Sequence, residues 1–296
     1  MAILAFDMGG TAVKYGLFRD GALEQTNSFP TPASWEEMKG ALLTVRNQFL
    51  DESLEGAAFS SPGSVDSEAG IIYGSSAIPY IHRFEIVKEL EETLGLPVSI
   101  ENDANCAALA EVEFGVAKSV KDAVFFIIGS GIGGALVLNR KLHKGNSLFG
   151  GEFGRMQLRG NETLSVLASP VQSAKRYAES QSISSSFSGK DLFSLADQGV
   201  IAAQNAVSDL YDSLALGIYN VLVVLDPELV VLGGGLSKQE ELLGEIDRRV
   251  RKLLENNNAT ELKFQLERCQ YFNDANLLGA VAHFQSQGAG NEAKKE

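Results

Sequence analysis

At 296 residues, with 45% hydrophobic and 21% charged residues, the chain is long enough for two domains that each bury a core. A net charge of −13 argues against nucleic acid, whose phosphate backbone demands clustered Lys and Arg, but leaves room for a nucleotide held by backbone donors. The apolar runs 123–128 and 221–225 fall far below the roughly 18 residues of a membrane helix, no cleavable signal precedes the opening strand, and Cys106 and Cys269 stand in no metal or redox spacing, so a reducing cytoplasm is expected.

Strands are expected over 2–8 and 12–19, joined at Gly9-Gly10-Thr11, then a polar turn and a helix over 34–50 opened by the capping-box pair Ser34 and Glu37. A strand over 56–60 leads into the loop Ser61-Pro62-Gly63, and a helix over 85–94 into a short strand over 96–100. The polar knot Glu101-Asn102-Asp103-Ala104-Asn105 precedes a helix over 107–114 closed by Gly115. The second half opens on a hairpin around Gly129-Ser130-Gly131-Ile132-Gly133-Gly134, followed by the loop Gly150-Gly151-Glu152-Phe153-Gly154-Arg155. Helical patterns cover 166–180 and 200–225, separated by a serine-rich loop over 180–188. A buried strand over 229–232 runs into Gly233-Gly234-Gly235, Ser237 with Glu240 caps a helix to about residue 254, and a last helix covers 276–285 before a polar tail from Gly288. Strands alternating with helices predict an α/β protein with mixed sheets.

The strand–glycine turn–strand pattern therefore occurs twice. Such turns present consecutive N–H groups into a concavity suited to phosphate oxygens, and two of them predict an ATP-using enzyme. Asp7, at the end of a buried strand beside the first turn, suits either Mg²⁺ or a local Asx-turn. Gly129-x-Gly131-x-x-Gly134 matches a dinucleotide fingerprint, yet a strand rather than a helix follows, so the Rossmann reading fails. Asp103, after a strand end, is either a base that accepts a hydroxyl proton or a helix cap. Glu152 suits vicinal sugar hydroxyls or a plain surface loop, and Gly233–Gly235 an adenine or a plain turn. His82, His143 and His283 show no ligand spacing.

Together these segments resemble the ROK family of sugar kinases and related repressors, within the hexokinase/actin-like ATPase superfamily. Asp7-x-Gly9-Gly10-Thr11 resembles its first phosphate motif, Gly129–Gly134 its second, and Ser61-Pro62-Gly63-Ser64-Val65-Asp66 its P-G-x-V-D loop. Glu101 to Glu111 resembles the segment with the catalytic Asp, and Asp274-Ala275-Asn276-Leu277-Leu278-Gly279-Ala280 the C-terminal signature. The resemblance implies a two-domain actin-like (ribonuclease H-like) α/β fold with an interdomain cleft: 1–116 joined by a C-terminal helix 275–287, a larger domain 117–274, and a disordered tail 288–296. It implies Asp103 as general base on a sugar O6, with Gly63, Asn102, Glu152, Arg155 and Ser165 around the sugar. ATP would lie against Gly9, Gly10, Thr11, Lys14, Gly129, Ser130, Gly131, Gly133, Gly134, Gly234 and Gly235, with Mg²⁺ at Asp7, in a homodimer with neither nucleic-acid nor membrane partners. The repressors carry a winged-helix domain ahead of the first motif, which here begins at residue 3, so the kinase branch is expected over a sugar-sensing regulator. A catalytically silent scaffold is disfavoured because Asp7, Asp103 and the glycines are all present.

Three departures bear on the sugar. The family's E-x-G-H is Glu152-Phe153-Gly154-Arg155, without its zinc-binding histidine, and no cysteine follows through Ala168, so no zinc is expected. A glutamate is replaced by Ser165, and an asparagine before Ile78-Pro79 by Ala77. In the family the histidine and that glutamate face the anomeric end, so their loss predicts tolerance of an O1 substituent: a β-glucoside such as cellobiose, phosphorylated at O6. Glucokinase, N-acetylmannosamine kinase and fructokinase are the alternatives within the family.

Overall fold

The computed structural model describes residues 2–183, 186–271 and 274–292. Two compact units share the chain: one holds the described residues up to Lys118, the segment Gly145–Phe149 and the C-terminal helix; the other holds Ser119–Lys144 and the described residues from Gly150 to Tyr271.

The first unit is built on β1 (Ala2–Met8), β2 (Ala12–Arg19), β3 (Ala22–Pro30), α1 (Trp35–Asn47), β4 (Leu54–Ser61), the short ribbon β5 (Ser64–Asp66) and β6 (Ile71–Tyr73), α2 (Ile86–Leu94), β7 (Val98–Asn102) and α3 (Asp103–Glu113). Its main sheet has the order β3-β2-β1-β4-β7, the first three antiparallel and the last three parallel. β1 is buried along its whole length, which explains its unbroken apolar run. The segment expected as a polar turn is β3 instead. It is an exposed edge strand, ALEQTNSFP, and neither face is buried enough to impose an alternating pattern on its sequence. Ser34 caps α1 by accepting from the Glu37 N–H at 3.3 Å, but the Glu37 carboxylate accepts from Ala33 N rather than from Ser34, so the capping box is half made.

The second unit contains β8 (Ala123–Ile128), β9 (Ile132–Leu138), β10 (Lys141–Leu142), β11 (Gln157–Arg159), β12 (Glu162–Thr163), α4 (Leu164–Ala168), α5 (Pro170–Ser180), α6 (Gly189–Asp197), α7 (Ile201–Leu225), β13 (Leu229–Gly233), α8 (Leu242–Asn256) and β14 (Gln265–Arg268). Its sheet, β10-β9-β8-β13-β14, repeats the order and directions of the first. The doubled sequence pattern is thus a doubled sheet. The helix expected over 166–180 is broken at Ser169-Pro170, because proline cannot donate into α4 and starts α5 instead. α8 starts at Leu242 with no side-chain cap; Ser237 lies in a 3₁₀ turn and donates to the Gly234 carbonyl, which corrects the expected Ser237–Glu240 cap. α7 is long and apolar enough to cross a membrane by length and composition, yet half of that window is buried within the unit, where Leu210, Leu214, Ile218 and Leu222 join the core.

The chain returns to the first unit as α9 (Ala275–Glu292), which packs on α3, β4, β7 and β1. α9 runs through Glu292, beyond the point where a disordered tail was expected; each added residue of a formed helix gains a backbone hydrogen bond at little further cost. Residues 293–296 lie outside the described residues.

Candidate active site

In the first unit, Asp7 stands one residue before the end of β1 and Asn102 ends β7, two strands apart, with β4 between them. Asp7 is 9% exposed, and its Oδ1 accepts from Ser60 Oγ on β4 at 2.8 Å and from Asn276 Nδ2 on α9 at 3.1 Å. Both donors take the same oxygen, which fixes the carboxylate and leaves Oδ2 for a cation. Lys14 sits opposite Asp7 in the β1–β2 register.

Asn102, not Asp103, caps α3: its Oδ1 accepts from the N–H of Ala104 and Asn105, and its Nδ2 donates to the Gly63 carbonyl at 2.9 Å. Gly63 itself has φ +107°, and a Cβ there would crowd Ile72 and His82. Asp103 is therefore the first residue of the helix, with Oδ1 accepting from Ala104 N at 2.8 Å and Asn102 Nδ2 at 2.9 Å, while among the described residues no side chain donates to Oδ2. Burial, opposed by those two hydrogen bonds and reinforced by the charge on Asp7, pushes the Asp103 carboxyl up to about 6. Beneath it the buried Glu101 accepts from Ser67 Oγ, Asn102 N and Asn105 Nδ2, at 2.7 to 3.0 Å, so the strand-to-helix turn is braced from within.

The turn after Asp7 is close to its surroundings. A Cβ on Gly9 would lie 2.7 Å from the Ala12 carbonyl oxygen, and one on Gly10 would lie 2.5 Å from Ala77 Cβ. Ala77, singled out for its difference from the family, thus packs against the phosphate-type turn.

In the second unit the β8–β9 turn, the loop over 150–155 and α4 converge. Gly134 and Gly154 are demanded by this packing: a Cβ on Gly134 would meet the Gly151 carbonyl and Phe153, and one on Gly154 would fall on the Ile132 carbonyl and Ser165 Oγ. A Cβ on Gly129 would meet no protein atom within 4 Å, so the chain's own packing does not call for glycine there. Glu152 and Arg155 share this rim, where Arg155 Nε donates to Glu152 Oε2 at 3.0 Å; both are exposed, so the pair adds little stability and mainly orients the carboxylate. Ser165, expected beside the sugar, spends its hydroxyl on the turn. It accepts from Ile132 N at 2.9 Å and donates to Ile132 O at 3.2 Å. At the end of β13, Gly234 (φ +81°) lies so close to Ile128 that no side chain fits, whereas Gly235 has open space. Gly133 pairs with Ile127 in the β8–β9 ladder.

Ser60, Thr31, Ser169 and Asn276 had no motif to announce them as site residues. Asn276 lay inside the C-terminal signature and Ser169 closed the family-type stretch Val166-Leu167-Ala168-Ser169 that follows Ser165, but neither carried an expected role.

The model of the ROK family matches residues 3–287. The chain belongs to the ROK family. The β-glucoside kinase of Klebsiella pneumoniae is 33% identical to it over 302 residues, spanning 96% of each chain. That of Listeria monocytogenes is 31% identical over 295 residues, spanning 96% of this chain and 97% of its own. A ROK family protein from Streptococcus pneumoniae TIGR4, solved in complex with sucrose, superimposes with a TM-score of 0.89 at 32% identity, covering 98% of this chain and 100% of that one. The α/β fold is that of ROK sugar kinases, an actin-like ATPase fold.

Proposed function

We propose that the protein is an ATP-dependent sugar kinase that phosphorylates O6 of a glucoside, with a β-glucoside such as cellobiose as first choice of substrate. One observation carries the reading: at a strand-to-helix turn, Asp103 keeps one carboxylate oxygen tied to Asn102 and Ala104 and the other without a side-chain donor among the described residues, at a pKa raised to about 6. That is the geometry and basicity of a group meant to take a proton from an alcohol.

In this reading Asp103 Oδ2 accepts the O6 proton as the oxygen attacks the terminal phosphoryl group, and Asn102 holds Asp103 Oδ1 so that Oδ2 cannot turn away. Gly63, Asn102, Glu152 and Arg155 would surround the sugar, Glu152 accepting two neighbouring ring hydroxyls. The glycine turns at 9–11 and 129–134, Lys14 and Gly235 would receive ATP. Asp7 suits Mg²⁺ because that ion needs only one or two protein carboxylates beside phosphates and water, and Oδ1 is already committed while Oδ2 is not. Bound there, Mg²⁺ would neutralise charge developing on the transferred phosphoryl group. The Arg155 guanidinium has donors and no acceptor, so it cannot replace a metal-binding histidine, and zinc has no part in this proposal.

The preference for a glycoside rests on the anomeric-end positions. The Ser165 hydroxyl is taken by Ile132, so it offers a free O1 hydroxyl no dedicated partner. The β-glucoside kinases at 31% and 33% identity, and the relative that holds the disaccharide sucrose, support this choice. A coupled ADP-release assay on cellobiose, glucose, fructose and N-acetylmannosamine should show the highest kcat/KM with cellobiose. A large preference for free glucose would overturn the glycoside assignment and leave the kinase intact; no ADP release with any sugar would overturn the kinase. We place the enzyme in the cytoplasm, acting as a homodimer.

The pH dependence has a defined sign. Asp103 works ionised, so kcat/KM should fall as pH drops through about 6, with about a tenth of the base still ionised one pH unit lower. A kcat/KM profile flat from pH 7 down to 5 would remove Asp103 from the base role.

A further inference from the structure

Both glycine turns are held from behind by a hydroxyl that comes from a distant part of the same unit. In the second unit the fully buried Ser169, at the junction of α4 and α5, donates to the Ser130 carbonyl at 2.9 Å and lies 3.2 Å from the Gly129 carbonyl. In the first unit Thr31, just after β3, donates from Oγ1 to the Gly9 carbonyl at 2.5 Å, and its N–H donates to the Thr11 carbonyl at 3.1 Å. A trans peptide is planar, with its C=O and the following N–H pointing in opposite directions. Fixing the carbonyls of Gly129 and Ser130 therefore turns the N–H groups of Ser130 and Gly131 to the opposite side. Fixing the Gly9 carbonyl does the same to Gly10 N–H. Among the described residues none of these three N–H groups donates to a protein acceptor.

Glycine makes such control necessary. The Gly9–Gly10 and Gly129–Ser130 peptides can rotate at small steric cost, and a rotated plane would present a carbonyl oxygen where a phosphate needs a donor. We propose that Thr31 and Ser169 are positioning residues for nucleotide phosphates: each hydroxyl locks the peptide planes of one turn so that backbone N–H groups face the triphosphate. This rests on the kinase reading and adds what sets the donor geometry of both turns. Neither hydroxyl bonds a sugar-side group, and the Ser169 N–H that donates to the Ser165 carbonyl is kept in Ser169→Ala, so the effect should fall on the nucleotide alone.

Thr31→Val is the cleanest test, since it keeps the shape and removes only the hydroxyl; Thr31→Ser keeps the hydroxyl and removes a methyl. Ser169→Ala tests the other turn. Steady-state kinetics would be run with ATP varied at saturating cellobiose and glucose, with sugar affinity followed separately by calorimetry. Thr31→Val and Ser169→Ala should each lower kcat/KM for ATP by about tenfold or more, the scale of losing oriented backbone donors at a developing charge. Sugar affinity should stay within twofold, and Thr31→Ser should recover most of the loss. Should Thr31→Val keep its ATP parameters within twofold, or Thr31→Ser fall as far as Thr31→Val, the clamp is wrong while the kinase stands. Wild-type protein that releases no ADP with any sugar overturns the kinase reading and the clamps with it. If Ser169→Ala fails to fold, the Thr31 pair decides.

Discussion

Asp103→Asn should lower turnover by about 10²–10⁴-fold, the range that a positioned general base contributes, and at the same time raise the melting temperature near pH 8. The two effects share one cause. Asparagine keeps an oxygen that can accept from Ala104 N and from Asn102, so the turn is preserved, but it cannot take a proton from a hydroxyl. The stability gain follows from the raised pKa. Between the ordinary 3.8 and the folded value of about 6 the native state holds a proton that the unfolded chain has lost, so this group makes stability decline as pH rises through that window. Above it the native state carries a partly buried charge, at a cost of up to about 3 kcal/mol for a pKa raised from 3.8 to about 6. Asparagine removes that cost. Thermal melts of both proteins at pH 8 and pH 4 check this: the variant should be the more stable at pH 8, and the gap should close at pH 4, where the wild-type carboxyl is protonated. Retained turnover, or melting curves that coincide at pH 8, would contradict the assignment. Such a gain at the expense of activity is the expected signature of a site built for chemistry rather than stability.

Gly279→Ala should damage the first unit more than its small size suggests. Helix propensity alone favours alanine by about 1 kcal/mol. Packing opposes it and wins. A Cβ on Gly279 would fall on the carbonyl of Cys106, so α9 and α3 touch backbone to backbone at this point. Backbone cannot swing aside as a side chain would, so the helices must part, at about 3 kcal/mol, near the top of the usual overpacking range. Net of the propensity gain this is about 2 kcal/mol, and at about 2–4 °C per kcal/mol for a chain of this order of size the melting temperature should fall by roughly 4–8 °C. Activity should suffer too, because Asn276 stands one turn earlier on α9 and holds Asp7 Oδ1. The expected kinetic mark is a higher Mg²⁺ requirement, measured by titrating the metal at fixed ATP. A variant that melts within 2 °C of wild type would show that α9 can shift without strain.

The residues that carry the proposed chemistry differ in how they can be read. Asp7, the glycine turns and the Asn102-Asp103 pair are legible because each lies at the end of an apolar strand, where a short polar or glycine-rich run contrasts with its flanks. Which of the pair caps α3 is not legible: Asn and Asp both cap helices, and only the strand's exit direction decides that Asn102 does so and frees Asp103. Ser165 reads in sequence as a gap beside the sugar, whereas the structure commits its hydroxyl to Ile132. β3 escapes because an exposed edge strand has no buried face to pattern it. Ser237 has the spacing of a cap but donates to a glycine carbonyl in a 3₁₀ turn, since local motifs offer a hydroxyl several partners of similar energy.

By itself, then, the sequence determined the doubled strand–turn–strand units, because hydrophobic periodicity and glycine placement act over a few neighbouring residues, and its motifs carried the resemblance to the family. Only the tertiary structure decided how the carboxylates and turns are held. Ser60 and Asn276 reach Asp7 across 53 and 269 positions, and Ser169 reaches Ser130 across 39. A hydrogen bond between residues so far apart leaves no periodic trace along the chain; it exists because the packing of sheet and helices brings a donor within 3.1 Å of an acceptor that water no longer satisfies.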